Sequence, residues 1–487
     1  MSNTGITAVG GYIPRLRMQR AKIVEANAWA NSALKGYAKG ERSMCNWDED
    51  SVTMAVEAAR DCLDDTPRDA LTAVHLASTT LPFADRQNAG IVAEALNLPE
   101  NLATLDITSS QRAGTSGLIN ALMAAANGPV LFAAAEHRRS QNGTPQELLA
   151  GDGSAAFVLG TDDPIATFIG SHTVSIDFVD HYRGQHHEFD YDWEERWIRD
   201  EGYMKIVPDA VGALFAKVDK GPADVDRFII PTALRGVPAM LAKRLGIKDE
   251  AVCDVLQGRC GDTGAAHAVV LLAKALEEAE PGETILVVGF GQGCDALLFE
   301  TTDKIASGRP GRGINGSLAM GSPEENYNKF QSFNQTVDKD FGKRGEVDKQ
   351  TALSTLYRNR KMLTGFIGGK CATCGTVQFP KSRYCVNPNC GALDTQDDHA
   401  MADTPGKVNT YTADSLTFSL DPPAYFGMVQ FDGGGRLMVD FTDVDRDSFD
   451  IGAPVRMQFR VREYDDDRGF RKYFWKAVQT ASPGAEA

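Results

Sequence analysis

A recurrence limits the fold of this chain more than any other feature. Gly128 opens the run "GPVLFAAAE", followed by the Gly-led strand "GDGSAAFVLG", and Glu283 opens a second such pair, "ETILVVGFGQGCDALLFE". A period on the order of 150 residues is too long for a solenoid and fits one α/β half duplicated. Between residues 50 and 300 such runs alternate with helical patterns, among them "DSVTMAVEAARDCLDD", "GVPAMLAKRLGI" and "GDTGAAHAVVLLAKALEEAEPG". Short continuous apolar runs are what a strand covered on both faces needs, so the alternation predicts a largely parallel sheet clad by helices. The second member of each pair predicts an antiparallel neighbour.

The 487 residues exceed the roughly 250–300 at which one core stops growing. The two halves are expected at 1–165 and 166–304. From 305 to 365 the text turns rich in Gly, Ser, Pro and Asn and reads as a linker, closed by a helical bracket in "QTALSTLYRNRKMLTGFIGG". A cysteine-rich segment fills 366–398. Short β patterns with Gly and Asp turns then occupy 399–482, as a small OB-type barrel requires. A net charge of −16 argues against nucleic acid or an anionic membrane as partner, since both need a basic footprint. No apolar run approaches the ~20 residues of a membrane span, and "MSNTGITAVGGYIPRLRMQR" lacks a secretory pattern. A cytoplasmic protein is expected.

Nine cysteines divide unevenly. Cys371-x2-Cys374, ten residues, then Cys385-x4-Cys390 offers four soft ligands as two knuckles, the set tetrahedral Zn²⁺ prefers. Four thiolates leave no open position, so the metal is expected to brace the fold.

"LDITSSQRAGTSGLINAL", residues 105–122, reads as a strand, a tight turn and a small-residue helix, the place where many α/β enzymes hold a nucleophile. The openings "GITAVGGYIPRLRM" and "NWDEDSVTMAVEAARDCL", that turn, the helix start "GDTGAA" and the close "ETILVVGFGQGCDALLFE" resemble the thiolase superfamily. The nearest branch is that of 3-hydroxy-3-methylglutaryl-CoA synthases and ketoacyl synthase III enzymes. Beyond residue 303 the chain resembles the zinc-ribbon plus OB-fold proteins that accompany thiolase-like enzymes. The resemblance implies a five-layer αβαβα fold of two similar halves, acyl-CoA carbon–carbon bond chemistry, CoA as part of the substrate or product, and a homodimer.

In that family a cysteine at a helix N-terminus takes the acyl group, helped by histidine, asparagine and often glutamate. Carried over position by position, the cysteine is replaced by Gln111, the histidine by Pro231 or Thr232, the asparagine by Asp262, and the glutamate falls near Thr79. Three readings follow. The site is retired and the chain is a CoA-ester-binding scaffold; or it works without a covalent acyl group, as an enolate-forming decarboxylase, retro-Claisen or retro-aldol enzyme; or the nucleophile has moved.

For the last reading Cys260, close before Asp262, and His267 at the start of a helix are the candidates, because a helix N-terminus favours a thiolate. An inert buried thiol and a packed histidine are the ordinary alternatives. The stretch "DHYRGQHHEFDYDWEERWIRDEGY", residues 180–203, concentrates histidines, aromatics and acids and is a candidate source of a replacement base. His137 is a further candidate for the pocket, and Arg138 and Arg139 are candidates for CoA phosphate contacts. Gly289-x-Gly291-x-Gly293 is explained by a turn between strands, and no dinucleotide fingerprint accompanies it.

Overall fold

The computed structural model describes residues 4–63, 66–341 and 350–480. They form two compact units, one from the chain up to Cys45, 50–90 and 99–338, the other from 46–49, 91–98 and the chain beyond Asp338.

The first unit is built on nine strands: β1 (Gly5–Tyr12), β2 (Ala73–Ala77), β3 (Ala103–Ile107), β4 (Val130–His137), β5 (Asp152–Gly160), β6 (Ala166–Ser175), β7 (Arg227–Ile229), β8 (Thr284–Phe290) and β9 (Gly293–Thr301). Their order across the sheet is β7-β8-β9-β6-β1-β5-β4-β2-β3. In each half a parallel neighbour flanks the recurring strand, β2 beside β4 and β7 beside β8, and the Gly-led strand returns antiparallel. The halves meet where Gly5 and Ile6 pair with Thr167 and Ala166.

Five helices complete the layers: α1 (Ser51–Cys62), α2 (Ala113–Ala124), α3 (Met204–Phe215), α4 (Val237–Leu245) and α5 (His267–Glu278). Helices α2 and α5 share one core with Phe132 and Phe157 of the first half and Ile285 and Leu297 of the second, so they form the middle layer. Helix α1 covers the outer face of β1, β4 and β5. Its start is set by Asp50, whose side chain accepts from the Val52 and Thr53 N–H groups while the Thr53 hydroxyl caps Asp50 N–H in return. Helices α3 and α4 bury Val207, Val211 and Leu241 against Leu286, Val288 and Leu298 on the outside of the second half. The αβαβα layering is thus present, and the two halves are one unit because α2 and α5 bury their apolar sides only between both half-sheets.

The stretch expected as a linker is largely structured. A helix over Gly313–Ala319, a strand Ser322–Glu324 parallel to Leu16–Met18, and a helix over Tyr327–Phe333 all belong to the first unit. Asp61 accepts from Gly313 N–H, Glu277 accepts from Asn315 N–H, and Ile314, Leu318, Phe330 and Phe333 are buried. Gly and Ser here serve close packing, which composition cannot tell from flexibility. Residues 342–349 of that stretch lie outside the described residues.

In the second unit short helices at Leu353–Arg358 and Arg360–Leu363 precede a three-stranded ribbon, Ile367–Cys371, Val377–Gln378 and Gln396–Ala400. A closed barrel follows, of β10 (Gly406–Asp414), β11 (Ala424–Phe431), β12 (Arg436–Thr442), β13 (Pro454–Asp465) and β14 (Phe470–Gln479), ordered β10-β11-β12-β14-β13. Phe366 stacks on Trp475 and meets Phe431 edge-on, tying the helical bracket to the barrel core. Residues 46–49 are held here by charge: Arg460 pairs with Asp48 at 3.2 Å and Glu49 at 2.8 Å, and Lys476 with Asp48 at 2.8 Å.

Candidate active site and metal centre

Strand β3 ends at Ile107, and Ser109 takes φ +73° to turn the chain into α2. The turn is fastened by Asp295 on β9, which is fully buried. It accepts from Arg112 Nη1 at 2.8 Å, Thr115 Oγ1 at 2.8 Å, Ser116 Oγ at 2.6 Å and Thr173 Oγ1 at 2.7 Å. Arg112 is therefore held in the turn by a buried carboxylate. The β8–β9 hairpin passes so close that a Cβ on Gly291, at φ +154°, would stand 2.8 Å from Gln111 Cβ. The glycine pattern at 289–293 is thereby accounted for as a close approach.

Gln111 Oε1 accepts from Arg138 Nη1 at 2.7 Å, which leaves the Nε2 hydrogens of Gln111 as donors. Arg138 lies just beyond β4 and is shared three ways. Its Nη2 meets His181 Nε2 at 3.1 Å, and its Nε meets Asp190 Oδ2 at 2.6 Å. Asp180 Oδ2 lies 3.0 Å from His181 Nδ1, so the imidazole carries its proton on Nδ1 and accepts from Arg138 through Nε2. Arg183 joins Asp190 at 3.3 Å to the Thr79 carbonyl at 2.5 Å. Thr79 N–H and hydroxyl in turn hold the Glu136 carboxylate at 3.0 and 2.8 Å. A carboxylate from the adjacent strand thus sits against Thr79. Gly264 closes over this pair: its absent Cβ would lie 2.9 Å from Glu136 Cγ and 3.3 Å from Arg138 Nη1.

Other expected residues fall elsewhere. Cys260 is fully buried, its Sγ facing the Gly261 and Leu256 carbonyls, and burial pushes its thiol up to about 12. Helix α5 starts only at His267, after a 3₁₀ turn over Gly264–Ala266, so Cys260 gains nothing from its dipole. His267 is buried too: Nδ1 accepts from Thr263 N–H at 3.2 Å, and Nε2 donates to the Val255 carbonyl at 3.0 Å. With both nitrogens spent, it is a brace and not a base.

Asp262 Oδ1 accepts from Gly264 N–H at 2.8 Å and shapes the loop over Glu136. Thr232 Oγ1 accepts from Leu234 N–H and a further bond joins it to the buried Tyr203 hydroxyl, whose pKa burial raises. Arg138, expected at a CoA phosphate, is consumed inside the site, because residues 136 and 138 leave β4 on the inward face. Arg139 pairs with Glu188 at 2.9 Å and stays part-exposed. His137, expected in the pocket, leaves on the opposite face.

Glu136 escaped the sequence reading. Its signal was present, since a glutamate ending an otherwise apolar buried strand needs a partner.

In the second unit the Sγ atoms of Cys371, Cys374, Cys385 and Cys390 lie within 4.8 Å of one another. Cys374 and Cys385 are 3.5 Å apart, and the Thr395 hydroxyl at 3.2 Å lowers the Cys371 thiol to about 6. The cluster fits a structural Zn²⁺, which these four thiolates would hold with no position left for substrate.

Comparison with known proteins agrees with both units. Residues 215–299 match the family model of the 3-oxoacyl-[acyl-carrier-protein] synthase III C terminal. Residues 365–396 match the ChsH2 rubredoxin-like zinc ribbon domain, and 399–460 the ChsH2 C-terminal OB-fold domain. The hydroxymethylglutaryl-CoA synthase of Methanocaldococcus jannaschii is 30% identical over 311 residues, 62% of this chain and 90% of that protein. That of Aeropyrum pernix is 31% identical over 318 residues, 63% and 88%.

Among solved structures, an HMG-CoA synthase complexed with CoA aligns with TM-score 0.59 at 16% identity, over 72% of this chain and 95% of that one. The synthase III of Aquifex aeolicus aligns with TM-score 0.54 at 19% identity, over 61% and 99%. These structural likenesses carry the fold. With the sequence relatives and the domain matches, they place the chain: it belongs to the hydroxymethylglutaryl-CoA synthase family of the thiolase superfamily, extended by a ChsH2-type zinc ribbon and OB-fold barrel.

Proposed function

We propose that this chain makes or cleaves a carbon–carbon bond beside the thioester of a β-hydroxy or β-oxo acyl-CoA, through an enolate and without an acyl-cysteine. The observation that carries the reading is the line Gln111, Arg138, His181, Asp180. At the family's cysteine position stands an amide with a spare N–H donor, and behind it an arginine linked to a histidine–aspartate pair. For a β-hydroxy substrate, the substrate hydroxyl displaces Arg138 Nη2 from His181 Nε2, which takes the hydroxyl proton as the bond between the α and β carbons breaks. Its electron pair passes into the thioester as an enolate, and the same proton returns to the α carbon. The Gln111 amide and the Arg138 guanidinium stabilise the oxygen where that charge collects. Glu136 is fully buried and acts by fixing Thr79 and the field around Arg138. Of the two arginines first assigned to CoA phosphates, Arg139 alone keeps the exposure for that contact.

We further propose a homodimer through β3, an edge strand of the nine-stranded sheet with alternate residues exposed, Leu105 at 44% and nearby Met123 at 66%. An open edge flanked by apolar side chains favours a two-fold mate that continues the sheet.

The test is a panel of β-hydroxy and β-oxo acyl-CoA thioesters incubated with the full chain, products read by mass spectrometry, alongside Gln111→Ala and His181→Gln. Turnover lost by about 10²-fold or more in either variant supports the mechanism. Tight binding without turnover would identify a CoA-ester scaffold, and neither turnover nor binding would sink the reading.

A further inference from the structure

The geometry points to a second metal site, at Cys45, His137 and Asp152, that takes Zn²⁺ independently of the cysteine ribbon. His137 ends β4 and Asp152 begins β5, and the two are partners in register. Alternation along the strand exit sends Glu136 and Arg138 into the acyl site and His137 to the other face. There Cys45, directly after the short strand Glu41–Met44, completes a trio of thiol, imidazole and carboxylate whose ligand atoms all lie within 4.8 Å. None of the three takes part in the network around Gln111.

The hydrogen bonding around the trio leaves room for a cation. Asp152 Oδ2 is occupied by Cys45 N–H at 2.8 Å. Asp152 Oδ1 faces His137 Nδ1 at 3.2 Å, yet both atoms are buried and neither makes an aligned hydrogen bond. Arg42 Nη2 stands 3.8 Å from that same oxygen, outside hydrogen-bond reach. Two ligand atoms of one tetrahedral Zn²⁺, each at about 2.0–2.2 Å from the metal, lie about 3.3 Å apart. The His137–Asp152 spacing is therefore already that of a chelating pair.

One contact of the Cys45 thiol is donation to Met54 Sδ at 3.7 Å, a weak bond that a metal–thiolate bond readily replaces. The outer shell is in place as well. Ser43 Oγ bonds the Asp152 carbonyl at 2.6 Å, and His137 N–H donates to Thr80 Oγ1 at 3.0 Å.

Thiolate, imidazole and carboxylate together are a zinc donor set. Three protein ligands leave a fourth position, toward His137, the part-exposed member at 17%.

Full-length protein produced with zinc in the medium and stripped of loosely held metal is expected to carry two zinc ions per chain by metal mass spectrometry. The count is expected to fall to one in Cys45→Ser and in His137→Gln, and to one in the Cys371→Ser/Cys374→Ser double variant. His137 is the part-exposed ligand, so His137→Gln keeps a folded chain, checked by circular dichroism, if Cys45→Ser does not. Cobalt loading gives a second reading: His137→Gln is expected to lose one set of visible bands and keep those of the four-cysteine ribbon. One zinc per wild-type chain, or two zinc ions retained in His137→Gln, overturns the site. So does rapid alkylation of Cys45 by iodoacetamide in the zinc-loaded protein, which would make the thiol a free nucleophile.

Discussion

Arg138 Nη1 donates to Gln111 Oε1 at 2.7 Å, and the same guanidinium reaches His181 and Asp190. Gln111 is thereby oriented by a cation that spans three partners. Arg138→Ala is expected to lower kcat by about 10²–10³-fold with little change in KM, because the lost contacts act on developing charge. Arg138→Lys is not expected to rescue it, since an ammonium lacks the fork that meets three groups at once. Steady-state kinetics on the thioester found in the panel checks both.

A second expectation concerns Cys260, whose buried thiol is raised to about 12. In the native protein at pH 8 it is expected to resist iodoacetamide and to become reactive only on unfolding. Cys260→Ala is expected to leave turnover within about twofold while costing stability, as lost packing does. Intact-mass measurement of an acyl group on Cys260 would contradict the non-covalent mechanism.

Acid stability should report on Asp48 in the second unit. Burial by itself raises this carboxyl, but Lys476 and Arg460 outweigh it and hold it below the usual carboxylate range. A depressed carboxyl contributes stability that is fully present above its unfolded value of about 3.9 and is lost as pH falls through the lower folded value. Asp48→Asn is thus expected to cost about 3–5 kcal/mol at pH 7, where it removes the carboxylate facing the buried Lys476 and one of those facing Arg460, which keeps Glu49, and progressively less below pH 4. Denaturant melts at pH 7 and pH 3 measure the difference.

The dimer expectation rests on Leu105 at the open edge of β3. Leu105→Asp is expected to shift the protein from dimer to monomer in light scattering, by placing a charge on a paired edge. A wild-type monomer at micromolar concentration would remove the proposal.

Much of the architecture was legible in the chain as written. The repeated run that became β4 and β8, the Gly-led strands β5 and β9, and the cysteine spacing of the ribbon are local patterns, and local patterns survive without knowledge of distant contacts. The stretch 313–333 reads as a linker in the sequence for the complementary reason: its backbone N–H groups at Gly313 and Asn315 meet Asp61 and Glu277, which are remote in sequence. Gln111 stands out in the sequence because it lies in a turn between a strand and a helix, which is itself a local pattern.

The sequence by itself determined a duplicated α/β core, a four-cysteine metal ribbon, a short-stranded barrel and a strand–turn–helix that carries Gln111. Only the tertiary structure decided which polar groups surround that amide. Cys260 and His267, the sequence's candidates for a displaced nucleophile and its base, are packed away with carbonyl and amide partners of their own. Arg138, from a strand end, bonds Gln111 directly and links it to His181 in a distant insertion, while Glu136 from the same strand end holds Thr79. The reason is that strand alternation and burial choose the face a side chain takes, and a shift of one residue, as between His137 and Arg138, sends neighbours into different sites.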